Sequence, residues 1–557
     1  MSHSSHRNHS RGGLRLLAAG AALALAASLA SCASTPVAAD TEAGDPVAGG
    51  VLDIAFWGDN TTLVSLDPFQ VYWLEHRVVI RNVAESLTDQ DPETGEIIPW
   101  LASSWEVSDD ALEYTFHLEE GVTFSNGEAF TAQAVQTAFD SNKAFAAENP
   151  AVFGATYLAG YDHSEVIDDQ TVKVVLSEPN GGFLQATSTT NLAILAPESY
   201  ELSAQERSTG QIIGTGPFVL EDYRPEEGLT LQRRDDYGSA SSGASNAGDA
   251  YLDTVEVHYV TEESVRNGQF VQGEIDVLWP RNPFKDVDLA LFESSGATIQ
   301  SRSLPGPALN LYPNTAEGRI LADPLVRAAL QKAIDRETYA TTIYSADFPV
   351  VEGLYDTTTP YFSSQSDKLG HDPEEAASLL DEAGWALEDD GYRYKDGQKL
   401  TLVRPLSAED AGQVLLQDQL KQVGIDYELR VLVAGELAAA TAAGDYDLNS
   451  SYMTRADPIV LQTFLDPRFT NGSALSVNTY PEDVLATAEG YFDDGLASAD
   501  ATVRETAYAN LQDLFVDENI VFPVAERLWQ AATGPSVHGF SWTAEGFALL
   551  GDIWITE

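Results

Sequence analysis

Cysteine, methionine and basic residues are scarce in this chain: one Cys and two Met in 557 residues, and 30 Lys and Arg against 86 Asp and Glu. A single cysteine excludes an intramolecular disulfide framework. So few sulfur side chains also leave little soft-metal chemistry. The formal charge of −56 speaks against a nucleic-acid partner and against docking on an anionic surface. The acids are spread along the whole chain, which reads as a solvated shell rather than a patch for one cationic partner. Past the first thirty residues no apolar run reaches the roughly 20 residues that span a bilayer. The signatures G-x-S-x-G, H-E-x-x-H, Walker A and G-x-G-x-x-G are absent. His76, His117, His163, His258, His371 and His538 are scattered, and none pairs at metal-ligand spacing. Glu388–Gly397 hints at a calcium loop, but no glutamate closes it, so a surface hairpin is expected. These absences predict a protein that is not an enzyme and needs no metal or cofactor.

What is present begins at the N-terminus. Residues 1–31 have the layout of an export signal: Arg7, Arg11 and Arg15 without an acid, an apolar stretch from Leu16 to Ala27, then small residues. No Arg-Arg pair precedes the apolar stretch, so a twin-arginine route is not indicated, and His3, His6 and His9 read as part of the solvated leader. Leu29-Ala30-Ser31-Cys32 resembles the bacterial lipobox. That resemblance implies cleavage before Cys32 and a diacylglycerol on its thiol, a stable mooring once two or three chains are attached. Removing three arginines and no acid would take the charge from −56 to about −59. Residues 33–50 are small, polar and rich in Pro and Gly, and read as a flexible tether.

From Val51 onward the pattern is mixed α/β. Tyr114–Leu118, Thr171–Ser177, Leu229–Arg233, Thr254–Val260 and Asp426–Leu432 alternate at period two, as half-buried strands do. Helices are marked between them. Asp323 caps one that Pro324 starts, with Val326, Ala329, Leu330, Ala333 and Ile334 on one face. Asp372 caps another, with Pro373 at its start, Glu374 and Glu375 in its first turn and Gly384 at its end. Thr131–Phe139 reads as a helix after the turn at Gly127. Ser239–Gly248 reads as a low-complexity surface loop. No internal repeat is visible.

Seven blocks, each weak alone, stand in an order that resembles the extracellular solute-binding proteins of ABC importers, family 5, which handle peptides, nickel and metallophores. They are Ser65–Phe69 with Asn82–Asp110, including Pro99-Trp-Leu-Ala-Ser-Ser-Trp105; Tyr114–Val135; Gly214-Thr-Gly-Pro-Phe218; Gly273-Glu-Ile-Asp276; Asp323–Arg336; Asp372–Trp385; and Gly424–Leu429 with Gly444–Leu448. The likeness spans about Val51 to Gly534. Gly214 and Gly216 would serve a tight turn before the strand at Phe218.

The resemblance implies a periplasmic-binding-protein type II-like fold of cluster C: two α/β lobes joined by crossover strands, with an extra domain inserted in lobe I. Mapped here, lobe I is 51–92, 203–304 and 520–557, domain II is 93–202, and lobe III is 305–519. It also implies a monomeric receptor on the extracytoplasmic face of a bacterial membrane, held there by its lipid alone. Such a receptor closes on a small solute and hands it unaltered to an ABC permease. The family's pocket draws on the loop after L-D-P, the loop after G-E-I-D and the segment before the late D-P. Here these supply Tyr72, Trp73 and His76; Trp279 and Arg281; and Tyr452, Arg455 and Asp457. Asn191 is a further candidate. Trp and Tyr offer broad faces with a polar handle, and Arg can grip a carboxylate with two bonds. Duller roles stand beside these: Trp73 in the core, His76 as a structural histidine, Arg281 paired with a surface acid, Asp457 as a helix cap.

Two departures bear on the solute. Oligopeptide binders of the family place an Asp before the late proline for the peptide amino group, and the matching position here is Thr454. Nickel and metallophore members often carry T-R-P where this chain reads Thr189-Thr190-Asn191. The expected solute is therefore peptide-like, or another small organic molecule with a carboxylate met by Arg455. Metallophore, opine and oligosaccharide remain alternatives within the family. A sensor or chaperone using the same fold, and an extracellular hydrolase, remain alternatives outside transport.

Overall fold

The computed structural model describes residues 44–58, 65–466, 468 and 480–556. Cys32 and residues 1–31, where an export signal is expected, lie outside the described residues. Every described strand and helix lies within Pro46–Glu557.

The largest sheet has seven strands, in the order Thr298–Ser303, Leu528–Thr533, Val277–Trp279, Val51–Phe56, Thr254–Tyr259, Gly228–Arg233 and Phe218–Arg224. Its middle is parallel: Val51–Phe56 runs beside Thr254–Tyr259 on one side and Val277–Trp279 on the other. The flanking strands pair antiparallel. Alternation in "TVEVHY" buries Val255, Val257 and Tyr259 while Thr254, Glu256 and His258 stay partly exposed. Those buried residues join Leu52, Ile54, Phe56, Leu229 and Leu231 in one core.

A second core surrounds a four-stranded antiparallel sheet, Ala102–Val107, Glu113–Leu118, Thr171–Leu176 and Tyr161–Asp168. The helix Ala132–Glu148 packs on it through Ala134, Val135, Ala138 and Phe139. A fully buried Phe of this kind contributes about 1.5–3 kcal/mol. This helix runs nine residues past the end that periodicity suggested, because Asn142 stays buried and Phe145 packs on the same core.

The third region holds Leu309–Pro313 between Leu448–Ser450 and Phe522–Ala525, and the parallel pair Thr401–Leu406 and Asp426–Val431. The helices Pro324–Ala333 and Pro373–Glu382 pack here, each capped by its aspartate as expected: Asp323 accepts from Leu325 N, Asp372 from Glu375 N. Gly384 ends the second helix at a φ of +84°. Helices Glu482–Leu496 and Ala501–Asp517 form a further core with Tyr312, Leu461 and Phe515.

The chain passes between the first sheet and the third region twice, from Ser303 to Leu309 and from Ala525 to Leu528. The two passages lie side by side, with Leu304 N donating to Arg527 O at 2.8 Å. Two α/β lobes joined by paired crossovers, with an additional core in the first, is the architecture expected from the sequence.

The structure departs from expectation at two further places. Gly214 and Gly216 do not sit at positive φ; a Cβ there would lie 2.1 Å from Val83 O and 2.7 Å from Asn82 O, so close backbone approach is what demands glycine. Ser239–Gly248 is not a free surface loop either. Ser239 Oγ donates to Glu85 and Ser241 Oγ to Asp89, and the Asp552 carboxylate accepts from the N–H groups of Ser245 and Asn246. No helix among the described residues is long and apolar enough to cross a membrane.

Candidate functional site

The three parallel strands end in aromatic residues, Phe56, Tyr259 and Trp279. The crevice outside such carboxyl ends is the usual place for a ligand in an open α/β sheet. Trp57 follows the first strand, and the helix Leu74–Arg81 begins nearby, preceded by Tyr72 and by Trp73 at its N-cap.

Arg281 organises one end of this region. Its Nε and Nη2 donate to the Glu75 carboxylate at 3.0–3.2 Å, and its guanidinium lies 4.7 Å from the Trp57 ring and 4.4 Å from the Trp73 ring. The acid is on the helix, and its side chain is only 5% exposed, so Arg281 is not held by a surface carboxylate. An aromatic ladder continues from Trp73. Tyr72 stands edge-on to Trp73 at 5.3 Å and to Phe153 at 5.1 Å, and Phe153 stands edge-on to Tyr157 at 5.6 Å. Arg455 closes the ladder, its guanidinium 4.5 Å from the Tyr157 ring.

Arg455 stands apart from its neighbours in the cleft, which are all engaged: Arg77 with Glu545, Arg281 with Glu75, Arg527 with Asp356. Arg455 is 6% exposed, its main-chain N–H donates to Pro305 O, and its Nε is buried without a hydrogen-bond partner. Among the described residues no carboxylate or carbonyl takes its guanidinium. In a chain with nearly three acids per base, a buried cation without a counter-ion is a costly arrangement unless an anion arrives.

Tyr452 brings the third region to the same place. It is 57% exposed, with the Arg527 guanidinium 5.5 Å from its ring. Burial raises the Tyr72 pKa, and the nearby Tyr452 raises it further, while Arg77 and Arg281 act in the opposite direction. The two tyrosines, one from each side of the crossovers, are thus electrostatic neighbours. Thr454 holds no charge for an amino group; its Oγ1 accepts from Arg527 Nη1 at 3.1 Å and its carbonyl from Arg77 Nη1 at 3.4 Å.

Four of the residues expected to line a pocket lie in the core instead. His76 is 1% exposed and stands edge-on to Tyr259. Asn191 is fully buried, and its amide donates to Pro68 O and Val71 O, holding the turn before Tyr72. Trp279 packs among Phe56, Trp529 and Trp542 at 5.1–5.6 Å. Asp457 accepts from Ile459 N at 2.8 Å at the entrance to the helix Val460–Leu465, and from Arg504 Nη2 at 2.7 Å. The structure brings Tyr72, Trp73, Arg281, Tyr452 and Arg455 together. Trp57, Glu75, Arg77, Phe153, Tyr157 and Arg527 belong with them and were not singled out from sequence. The four-residue spacing of Phe153 and Tyr157 was the only local signal.

Chemically, the arrangement is a set of aromatic faces with an uncompensated cation at one end. It is suited to holding an anionic group beside an apolar body. A sequence profile described as "Bacterial extracellular solute-binding proteins, family 5 Middle" matches residues 96–475. The chain belongs to this family.

Family 5 relatives match over most of their length. A probable di/tripeptide-binding protein 5 of Pseudomonas aeruginosa is 26% identical over 478 residues, 82% of this chain and 86% of that protein. The glutathione-binding protein GsiB of Pectobacterium atrosepticum is 26% identical over 497 residues, 85% of this chain and 88% of that protein. Among solved structures, NikA of Brucella suis in complex with Fe(III)-EDTA superposes with a TM-score of 0.78 at 24% identity, covering 91% of this chain and 100% of that one. DppA of Helicobacter pylori in complex with the peptide STSA gives 0.71 at 24% identity, covering 92% and 99%. These last two likenesses are likenesses of fold.

Proposed function

We propose that this family 5 protein is an extracytoplasmic receptor, moored by a lipid on Cys32, that captures a small carboxylate-bearing solute and delivers it to an ABC import permease. Lobe I comprises 51–92, 203–304 and 520–557, domain II comprises 93–202, and lobe III comprises 305–519. The protein acts as a monomer and breaks no bond. The solute is peptide-like, in keeping with the di/tripeptide and glutathione named for the relatives.

The observation that carries this reading is Arg455, a nearly buried guanidinium on the Tyr157 ring without a carboxylate of its own. The solute's carboxylate supplies the missing partner, and Tyr72, Trp73 and Tyr452 cover its body. Binding then favours the closed arrangement because Arg455 is satisfied only there. Native mass spectrometry of the protein as purified identifies a retained solute. Arg455→Ala then weakens its binding by about 1.5–3 kcal/mol, the range for a charge-assisted hydrogen bond. Calorimetry showing unchanged affinity would remove Arg455 from the site.

A further inference from the structure

Beyond Arg281 lies a cavity of ≈ 140 Å³, bordered by Trp57, Glu263, Arg266, Arg281, Lys285 and Asp288. It sits at the carboxyl end of the three parallel strands, where the helices Glu263–Val271 and Asp286–Ser294 both begin. Neither helix start is capped by a side chain; the N-cap positions are held by Glu262 and Lys285. A cavity needs roughly 10–15 Å³ to hold one water, so this one has room for an amino-acid head group.

Arg266 is 3% exposed, and no carboxylate lies within ion-pair distance of it among the described residues. Its Nη1 donates to Val260 O at 2.6 Å, while its Nε is buried without a partner. The carboxylates of the wall hold only light partners: Glu263 takes exposed Lys285 at 3.0 Å, and Asp288 takes the Asn267 amide at 3.0 Å. Arg281 is already balanced by Glu75. Arg266 and Lys285 therefore stand against Glu263 and Asp288, equal in charge. A lone anion or cation would leave such a wall unbalanced, and an apolar group would strip its polar atoms of water. A group carrying both charges does neither.

We infer that this cavity receives the zwitterionic head of the solute, an α-carboxylate facing Arg266 and the two helix starts and an α-ammonium facing Glu263 and Asp288. The inference rests on reading the adjoining cleft as the solute site. It makes the solute a molecule with an amino-acid head at one end, a second carboxylate at Arg455, and its middle against Trp73 and Tyr72.

The dipeptide γ-Glu-Ala carries an amino-acid head and a second carboxylate, and glutaryl-Ala keeps both carboxylates but lacks the ammonium. Calorimetry on the intact protein should find γ-Glu-Ala bound at least about tenfold more tightly than glutaryl-Ala, a difference of some 1.4 kcal/mol. Asp288→Asn, which removes a carboxylate facing the ammonium, should remove the preference, with a thermal melt confirming the fold, whereas Arg266→Gln should weaken both probes alike. Glu263→Gln, on the exposed rim, should reduce the preference in the same direction and serves if the Asp288 variant fails to fold. Arg455→Gln should weaken both probes alike. Equal affinity for the two probes, no binding of either, or a preference that survives both Asp288→Asn and Glu263→Gln would overturn the inference. Loss of the preference in Asp288→Asn with both affinities untouched by Arg455→Gln would uphold the cavity and sink the role given to Arg455.

Discussion

Glu85 shows what a single buried group does to this fold. It is fully buried and accepts from Tyr237 Oη and Ser239 Oγ, each at 2.6 Å. Burial pushes its carboxyl up to about 7, although the hydrogen bonds from Ser239 and Tyr237 pull it back. The folded chain therefore keeps a proton that the unfolded chain has released above its ordinary value of 4.5. Stability from this group is full below 4.5, is lost as pH climbs toward 7, and is flat beyond; the whole loss is on the order of 3 kcal/mol. Glu85→Gln should flatten that part of the profile and raise the melting temperature at pH 8 relative to wild type. Equal slopes between pH 5 and pH 8 for the two proteins would refute the assignment. The residue stood in a family block, Asn82–Asp110, yet nothing local marked it as a titrating group. Its donors lie more than 150 positions away. Separation along the chain likewise hid Glu75 from Arg281 and Tyr157 from Arg455, so the cleft was legible as a set of segments but not as a set of pairs.

Elements were easier to read than pairs, wherever local chemistry decided them. The strand Thr254–Tyr259 announces itself by alternation, and Asp-Pro at 323–324 and 372–373 announces two helix starts. The helix Ala434–Ala442 buries none of its residues, and no period in "AGELAAATA" could have revealed it. The crossovers were also silent, because what defines them is tertiary. Arg527 holds them together: its main-chain N–H and Nε donate to Asp356 at 2.7 and 2.6 Å, and Nη2 reaches Pro305 O at 3.1 Å. Gly306 lies in the same passage at a φ of +118°, where Met453 O leaves no room for a Cβ. Asp356 is fully buried, so removing its charge strands a guanidinium with little water. Asp356→Asn should therefore cost about 3–5 kcal/mol, the range for breaking a buried ion pair. Urea unfolding measures this, and a midpoint equal to wild type would show that Arg527 is carried by its carbonyl partners alone.

At the scale of the whole molecule, the inserted core meets the far side of the crossovers at a contact that admits only glycine. Gly181 N donates to Leu496 O at 2.8 Å, and a Cβ on Gly181 would lie 1.9 Å from Ser498 O. The blocking atoms are backbone, so nothing flexible can move aside. Gln90 Nε2, from lobe I, to Ala456 O at 3.1 Å is a companion contact across the crossovers. If Arg455 meets its anion only when these surfaces come together, a wedge at Gly181 should keep the protein open without touching the cleft. Gly181→Ala should give a larger radius of gyration in solution scattering than wild type. It should also weaken solute binding by roughly tenfold, because the closed state then has to be reached against a steric cost of some 1.4 kcal/mol. Its own thermal melt should stay cooperative, since each core is left intact. Scattering curves that superimpose, together with unaltered affinity, would mean that closure does not pass through this contact and that Arg455 finds its partner without it.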